Sequence, residues 1–154
     1  MDCGVAKTIE AEVQALQQVP MLKDIDPRRL KLLAFTAERI VFVPGQKFFS
    51  QGDPSSAAYV LLEGKADILI DGTSGPVPVA QLGQYQMVGE MGLLTNSPRS
   101  ATVIASVQTT VLRIDKDVFF ELMRHFPQMA LAVMVELAKR LEQSNERLVS
   151  YLAH

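Results

Sequence analysis

The chain of 154 residues holds one cysteine, Cys3, and two histidines, His125 and His154. A lone thiol cannot close an internal disulfide, so the fold has to rest on a hydrophobic core, and a reducing compartment, the cytoplasm, is expected. Two histidines, both in the C-terminal tail, cannot supply the clustered imidazole and carboxylate ligands that a metal centre built on strands requires. An excess of one charge sign is also missing. Fifteen Lys and Arg stand against 17 Asp and Glu, for a net charge of -2, which argues against a surface shaped for nucleic acid. The longest apolar run, Met129 to Val135, is far too short to span a bilayer. Asp2 and Glu10 interrupt the place where a secretory signal would put a basic and then an apolar segment. No paired nucleophile and base stand out, and carboxylates such as Asp24, Asp26, Asp115 and Asp117 read as helix caps and solvated faces. A metalloenzyme, a covalent hydrolase, a direct nucleic-acid binder and a membrane anchor are all disfavoured before any motif is read.

What is present is enough apolar residue, 48% of the chain against 21% charged, to bury one core, so residues 1–154 are expected to form a single domain. Three zones follow one another. Residues 1–36 carry helices. Ile9, Val13, Leu16 and Val19 recur at helical spacing and predict a helix from about Val5 to Val19. Asp26 as N-cap and Pro27 at the first helical position predict a second, with Leu30, Leu33 and Ala34 buried. Residues 39–114 change character, with β-rich runs such as Ile40–Val43, Tyr59–Leu62 and Thr110–Leu112 broken by glycine- and proline-bearing turns. About eight strands at that spacing predict an antiparallel β jelly-roll barrel. Residues 115–152 return to helix. Asp115 is read as an N-cap, Val118, Leu122, Met123 and Phe126 as one face, and Pro127 as both a break and a new start. Beyond it Met134, Leu137, Leu141, Ser144, Leu148 and Tyr151 step by three and four, a heptad seam suited to pairing with a second copy or lying on the barrel.

The segment from Val88 to Val103 concentrates the chemistry. It combines two glycines, a carboxylate, the start of a short apolar helix, a turn and one arginine. Free N–H groups near Met91 and Gly92 at a helix start suit an anion, and Arg99 can add a two-pronged contact to phosphate oxygens. An arginine after a proline turn is ordinarily a solvated surface residue. Here Ala101, Val103 and Ala105 on one side of the following strand would turn its head inward over an apolar wall. Glu90 would repel a phosphate, so it fits only as acceptor for a neighbouring sugar hydroxyl. Its plainer role is a helix-start carboxylate, worth about 0.3–1 kcal/mol.

Gly89-Glu90, Gly92-Leu93 and Pro98-Arg99-Ser100-Ala101-Thr102-Val103 resemble the phosphate-binding cassette of the cyclic nucleotide-binding domain family. The glycine rhythm ahead of it, Gly45, Gly52-Asp53, Tyr59 and Gly64, is similar as well. The resemblance implies a mainly β fold with flanking α-helices: a jelly-roll barrel, N-terminal helices and a two-helix C-terminal lid. It implies a non-catalytic sensor of cyclic AMP or cyclic GMP in signal transduction, with no metal. Gly89, Glu90, Met91, Gly92, Arg99, Ser100 and Ala101 would bind the ligand, Arg99 and Ser100 at the phosphate and Glu90 at the ribose 2′-hydroxyl. Ser100 suits both nucleotides and matches bacterial cyclic-AMP receptors, which favours cyclic AMP. Ser144 and Asn145 fall where those receptors contact the base. Ser144 reads equally as a tolerated polar seam position, and Asn145 also as a solvent-facing residue. Glu90 and Arg99 are expected to pair with each other when no ligand separates them. Phe126-Pro127 is the expected hinge of a lid that closes on the ligand, with a homodimer through the last helix and an effector protein unnamed. Three departures from the family pattern bear on the turn leading into the pocket: Tyr85 for a glycine, Gln86 for an acid and Val88 for an aromatic. Because the chain stops at His154 without a helix-turn-helix, a fragment of a catabolite-activator-like regulator is the sharper alternative. A degenerate oligomerisation domain is the other, and the intact Glu90 and Arg99 argue against it.

Overall fold

The computed structural model describes residues 2–152, with side chains for residues 9–150 and for Leu152. The side chains of Cys3, Val5 and Tyr151, and all of His154, lie outside the described residues. Two helices open the chain, α1 (Asp2–Gln17) and α2 (Pro27–Thr36). Ile9, Leu16 and Val19 are buried as their spacing predicts, and Val13 is half-buried. Val19, however, lies in a turn beyond the end of α1, because Pro20 disfavours helical backbone at the residue before it. The start of α2 follows the sequence closely. The Asp26 carboxylate accepts the Arg28 N–H at 2.9 Å, Pro27 occupies the first turn, and Leu30, Leu33 and Ala34 are the buried residues.

Eight strands follow: β1 (Glu38–Phe42), β2 (Lys47–Phe49), β3 (Ala57–Glu63), β4 (Ala66–Gly72), β5 (Gly75–Leu82), β6 (Met87–Val88), β7 (Thr102–Ala105) and β8 (Thr109–Asp115). They form two four-stranded antiparallel sheets, ordered β1-β8-β3-β6 and β2-β7-β4-β5, the jelly-roll arrangement. A six-residue helix, α3 (Glu90–Thr95), interrupts the strands between β6 and β7. Strand β3 explains why its sequence is apolar without alternation. Ala57, Tyr59 and Leu61 pack inside the barrel with Phe42, Phe48, Val103 and Val111. Ala58, Val60 and Leu62 pack outward against the helices. The two-residue period of a strand is intact, but both faces are covered.

Two helices end the chain, α4 (Lys116–His125) and α5 (Pro127–Leu152), bent by 109° at Phe126. Asp115 is the N-cap residue of α4 by position, as expected, but not through its side chain. Its carboxylate caps no N–H and instead accepts from Arg113 on the same strand. In α4 the fully buried residue is Phe119, with Val118, Leu122, Met123 and Phe126 partly buried beside it. Along α5, Met129 and Val133 are buried and Leu137 partly so, whereas residues 138–150 are all exposed. No single described helix is long and apolar enough to cross a membrane.

Candidate functional site

The backbone of Arg99 is held by the turn between β2 and β3. Arg99 N–H donates to Asp53 O and Gly52 N–H donates to Arg99 O, both at 2.8 Å. Gly52 adopts φ of +91°, a left-handed conformation that glycine reaches without strain. The Gly52-Asp53 pair of the glycine rhythm is therefore the clamp that sets where Arg99 begins. From there the side chain turns inward, 5% exposed. Its Nη1 donates to Gly89 O at 2.7 Å and its Nη2 to Ala57 O. The guanidinium carbon lies 4.0 Å from the centre of the Phe49 ring. The buried Nε has no hydrogen-bond partner, and no carboxylate of the described residues pairs with this cation. Burial pulls its pKa below the ordinary arginine value, with Tyr59, Asp53 and Glu90 opposing that shift.

Both cassette glycines are required by close approach. Gly89 precedes α3 at φ of +91°, and a Cβ there would stand 2.7 Å from Arg99 Nη1 and 3.1 Å from Ala57 O. A Cβ on Gly92 would meet Ser55 Oγ at 2.1 Å, where the hydroxyl donates to Ser97 O and ties the turn after α3 to the barrel. Asn96 ends α3 in left-handed backbone, its N–H turned back to the carbonyls of Gly92 and Leu93. The Asn96 Oδ1 accepts from Lys116 Nζ at 2.9 Å, linking the end of α3 to the start of α4.

Glu90 is 2% exposed. The expected pairing with Arg99 is not formed. The Glu90 Oε1 accepts instead from Arg140 Nη2 of α5 at 2.9 Å. The reason is positional: Arg99 is already bonded to two backbone carbonyls, and α5 brings a second guanidinium to the carboxylate. Around these groups lies a cavity of about 450 Å3, within the range of small-ligand pockets. Phe49, Ile68, Leu82, Met87, Val88 and Val103 form its apolar wall, and Glu90, Arg99 and Arg140 are its charged groups.

All seven residues named from the cassette, Gly89, Glu90, Met91, Gly92, Arg99, Ser100 and Ala101, line this one cavity. Ser144 and Asn145 do not. Both are exposed, one turn and more beyond Arg140, which is where α5 reaches the cavity. Phe49 and Arg140 were not legible as site residues. Arg140 reads as an ordinary solvent-facing helix arginine, and its partner is 50 positions away. Phe49 reads as one of two adjacent strand aromatics. In the altered turn Tyr85 takes left-handed backbone, φ of +66°, and its N–H donates to Leu61 O at 2.7 Å. Gln86 closes that turn through Oε1, which accepts the Gly83 N–H at 2.6 Å. Among the described residues, no three His, Cys, Asp or Glu side chains form a metal-binding group.

The short interrupting helix, the buried arginine and the buried glutamate of this jelly-roll barrel converge on one cavity. Residues 39–126 match the sequence pattern of the cyclic nucleotide-binding domain. This chain belongs to that family. It is 32% identical over 108 residues to the cAMP-dependent protein kinase regulatory subunit of Aspergillus niger, covering 70% of this chain and 26% of that protein. It is 32% identical over 127 residues to the lysophospholipase nte1 of Aspergillus terreus, covering 82% of this chain and 8% of that one. Among solved structures, the catabolite activator protein of Thermus thermophilus superposes with a TM-score of 0.76 at 28% identity, covering 84% of this chain and 61% of that one. The chain thus spans about a quarter or less of the length of these two sequence relatives.

Proposed function

We propose that this chain is a non-catalytic cytoplasmic sensor of a cyclic nucleotide, cyclic AMP ahead of cyclic GMP, in which ligand draws a C-terminal helical lid onto the barrel. The observation that carries this reading is the Arg99 cation: buried, bordering the cavity, and paired with carbonyl oxygens rather than with a carboxylate. A buried charge without a counter-ion is costly, and a ligand phosphate beside it supplies the missing anion. In this reading the cassette from Val88 to Val103 holds the cyclic phosphate through Arg99, Ser100 and the amides near Met91 and Gly92. Glu90 accepts the ribose 2′-hydroxyl on the oxygen that Arg140 leaves free. Charge-assisted hydrogen bonds contribute about 1.5–3 kcal/mol each, enough for these two residues to dominate polar recognition. The apolar wall of Leu82, Met87 and Val88 receives the sugar and base.

The lid follows from where Arg140 stands. Glu90 belongs to the cassette and Arg140 to α5, so a ligand that engages Glu90 acts on the same carboxylate that docks the last helix. A ligand shifts such an equilibrium only by its difference in affinity for the two arrangements. Pro127 at the bend supplies the break about which α5 moves. Ser144 and Asn145 would join the base once α5 has closed or from a second copy of the chain. The homodimer is proposed through the exposed seam of α5, and the effector is a protein that reads its position.

Thermal melts with cyclic AMP, cyclic GMP and 5′-AMP test the reading. A ligand that binds only the folded chain stabilises it by about 2.7 kcal/mol at 100 times its Kd. Both cyclic nucleotides should raise the melting temperature and 5′-AMP should not. A chain indifferent to all three ends the proposal.

A further inference from the structure

The Arg99 guanidinium is fixed at three places, and one of them is a ring. Two carbonyls, Gly89 O and Ala57 O, hold Nη1 and Nη2. The third contact is Phe49, whose ring centre lies 4.0 Å from the guanidinium carbon. The ring is itself placed by the sheet. Phe49 pairs with Val103 across β2 and β7, the strand that continues from Arg99, and it tilts against Tyr59 with centroids 5.9 Å apart. Val103 and Tyr59 are buried, so the ring backs onto the core while still bordering the cavity.

We infer that Phe49 is a positioning residue for the anion site: its π-face fixes the plane of the Arg99 guanidinium and holds the cation charged in a buried setting, so that the donors left over from the two carbonyls meet a phosphate already oriented. The inference rests on the proposed phosphate role of Arg99. An aromatic face attracts a guanidinium both through its quadrupole and by planar stacking. An aliphatic side chain of similar volume fills the same space but supplies neither. Two carbonyl bonds alone leave the group free to rock about the line joining their donors, and the ring removes that freedom. Phe49 need not touch the nucleotide to act.

The experiment uses the whole chain with Phe49→Tyr, Phe49→Trp and Phe49→Leu, each checked for an unchanged melting temperature, and titrates cyclic AMP and cyclic GMP calorimetrically. A cation–π contact of about 1–2 kcal/mol corresponds to a factor of roughly 5–30. Phe49→Leu should therefore weaken binding by about that factor, while Tyr and Trp retain it. Stepwise ring fluorination at position 49, which drains the π-face with little change of shape, should weaken binding step by step. A readout without nucleotide accompanies these, the ring-current displacement of the Arg99 Nε–H proton resonance. It should be present in wild type and Phe49→Tyr and lost in Phe49→Leu. Unchanged affinity in Phe49→Leu overturns the inference, and tighter binding there overturns it by making the ring a plug. If wild type binds neither nucleotide but the resonance behaves as stated, the nucleotide reading fails and the placement of Arg99 by Phe49 stands.

Discussion

At the scale of single residues, the site depends on what glycine permits. Gly89 has to take left-handed backbone while the Arg99 guanidinium passes over it. Gly45 shares the backbone condition, at φ of +87°, but a Cβ there would meet nothing within 4 Å. The two therefore separate strain from collision. Each alanine substitution carries the left-handed penalty of about 1–2 kcal/mol, but Gly89→Ala also displaces Arg99. Gly45→Ala should lower stability by that amount and leave cyclic-nucleotide affinity unchanged. Gly89→Ala should be less stable still and lose affinity at least about tenfold, since one charge-assisted bond contributes about 1.5–3 kcal/mol and about 1.4 kcal/mol is already a factor of ten. Urea unfolding and calorimetry on the two variants check this, and equal affinities would remove Gly89 from the account. Residue types also governed what could be read in advance. Asp26-Pro27 announces a helix start because cap and proline act within three positions, and the capping bond is found. Asp115 looks the same in sequence, but Arg113 two residues earlier takes its carboxylate. A local rule fails where a neighbour in the strand offers a stronger partner.

At the scale of elements, the decisive contact joins α3 to α5. The sequence places Glu90 and Arg99 in one segment and suggests that they meet, but the fold sends Arg99 to two carbonyls and delivers Arg140 to Glu90. Nothing within a helix-length window announces that partner, which is why the cassette was legible and its link to the last helix was not. The heptad seam, by contrast, is written in α5 itself. The Arg140 side chain is about half exposed, so the pair itself is screened and worth about 1 kcal/mol or less. The cost of leaving the buried Glu90 carboxylate unpaired is relieved only if the outer part of α5 lifts and admits water. The pair is small for the whole fold but decisive for one segment. Packing of α5 on the core ends near Leu137, and residues 138–150 are exposed. Arg140→Ala should leave the melting temperature within a few degrees of wild type and raise amide hydrogen exchange along α5 beyond Leu137. Unchanged exchange would mean that the ion pair does not dock the helix. The turn around Tyr85 belongs to this scale as well. Where the family pattern has a glycine, Tyr85 itself takes left-handed backbone, and its N–H is bonded to Leu61 O.

At the scale of the whole molecule, the two sheets and their helices leave one large feature uncovered. Leu141, Leu148, Val149 and Leu152 are each more than half exposed along the outer part of α5. Apolar positions repeated at heptad spacing on an uncovered helix mark an association surface. In the proposed homodimer the paired helices would carry a movement at Arg140 from one barrel to the other. Leu141→Glu with Leu148→Glu should convert the dimer to a monomer in sedimentation equilibrium while leaving the barrel folded. A wild-type chain that sediments as a monomer at all concentrations removes the dimer from the account and leaves the binding site untouched.

In the proposed sensor, Arg99, buried and hydrogen-bonded only to carbonyls, receives the phosphate of a cyclic nucleotide. Calorimetric titration of cyclic AMP into wild type and into Arg99→Leu, with circular dichroism confirming that both are folded, tests it most directly. Wild type should show one site per chain, and the variant should bind at least about 100-fold more weakly, from the loss of two charge-assisted bonds at about 1.5–3 kcal/mol each. Equal affinity in the two proteins would contradict it.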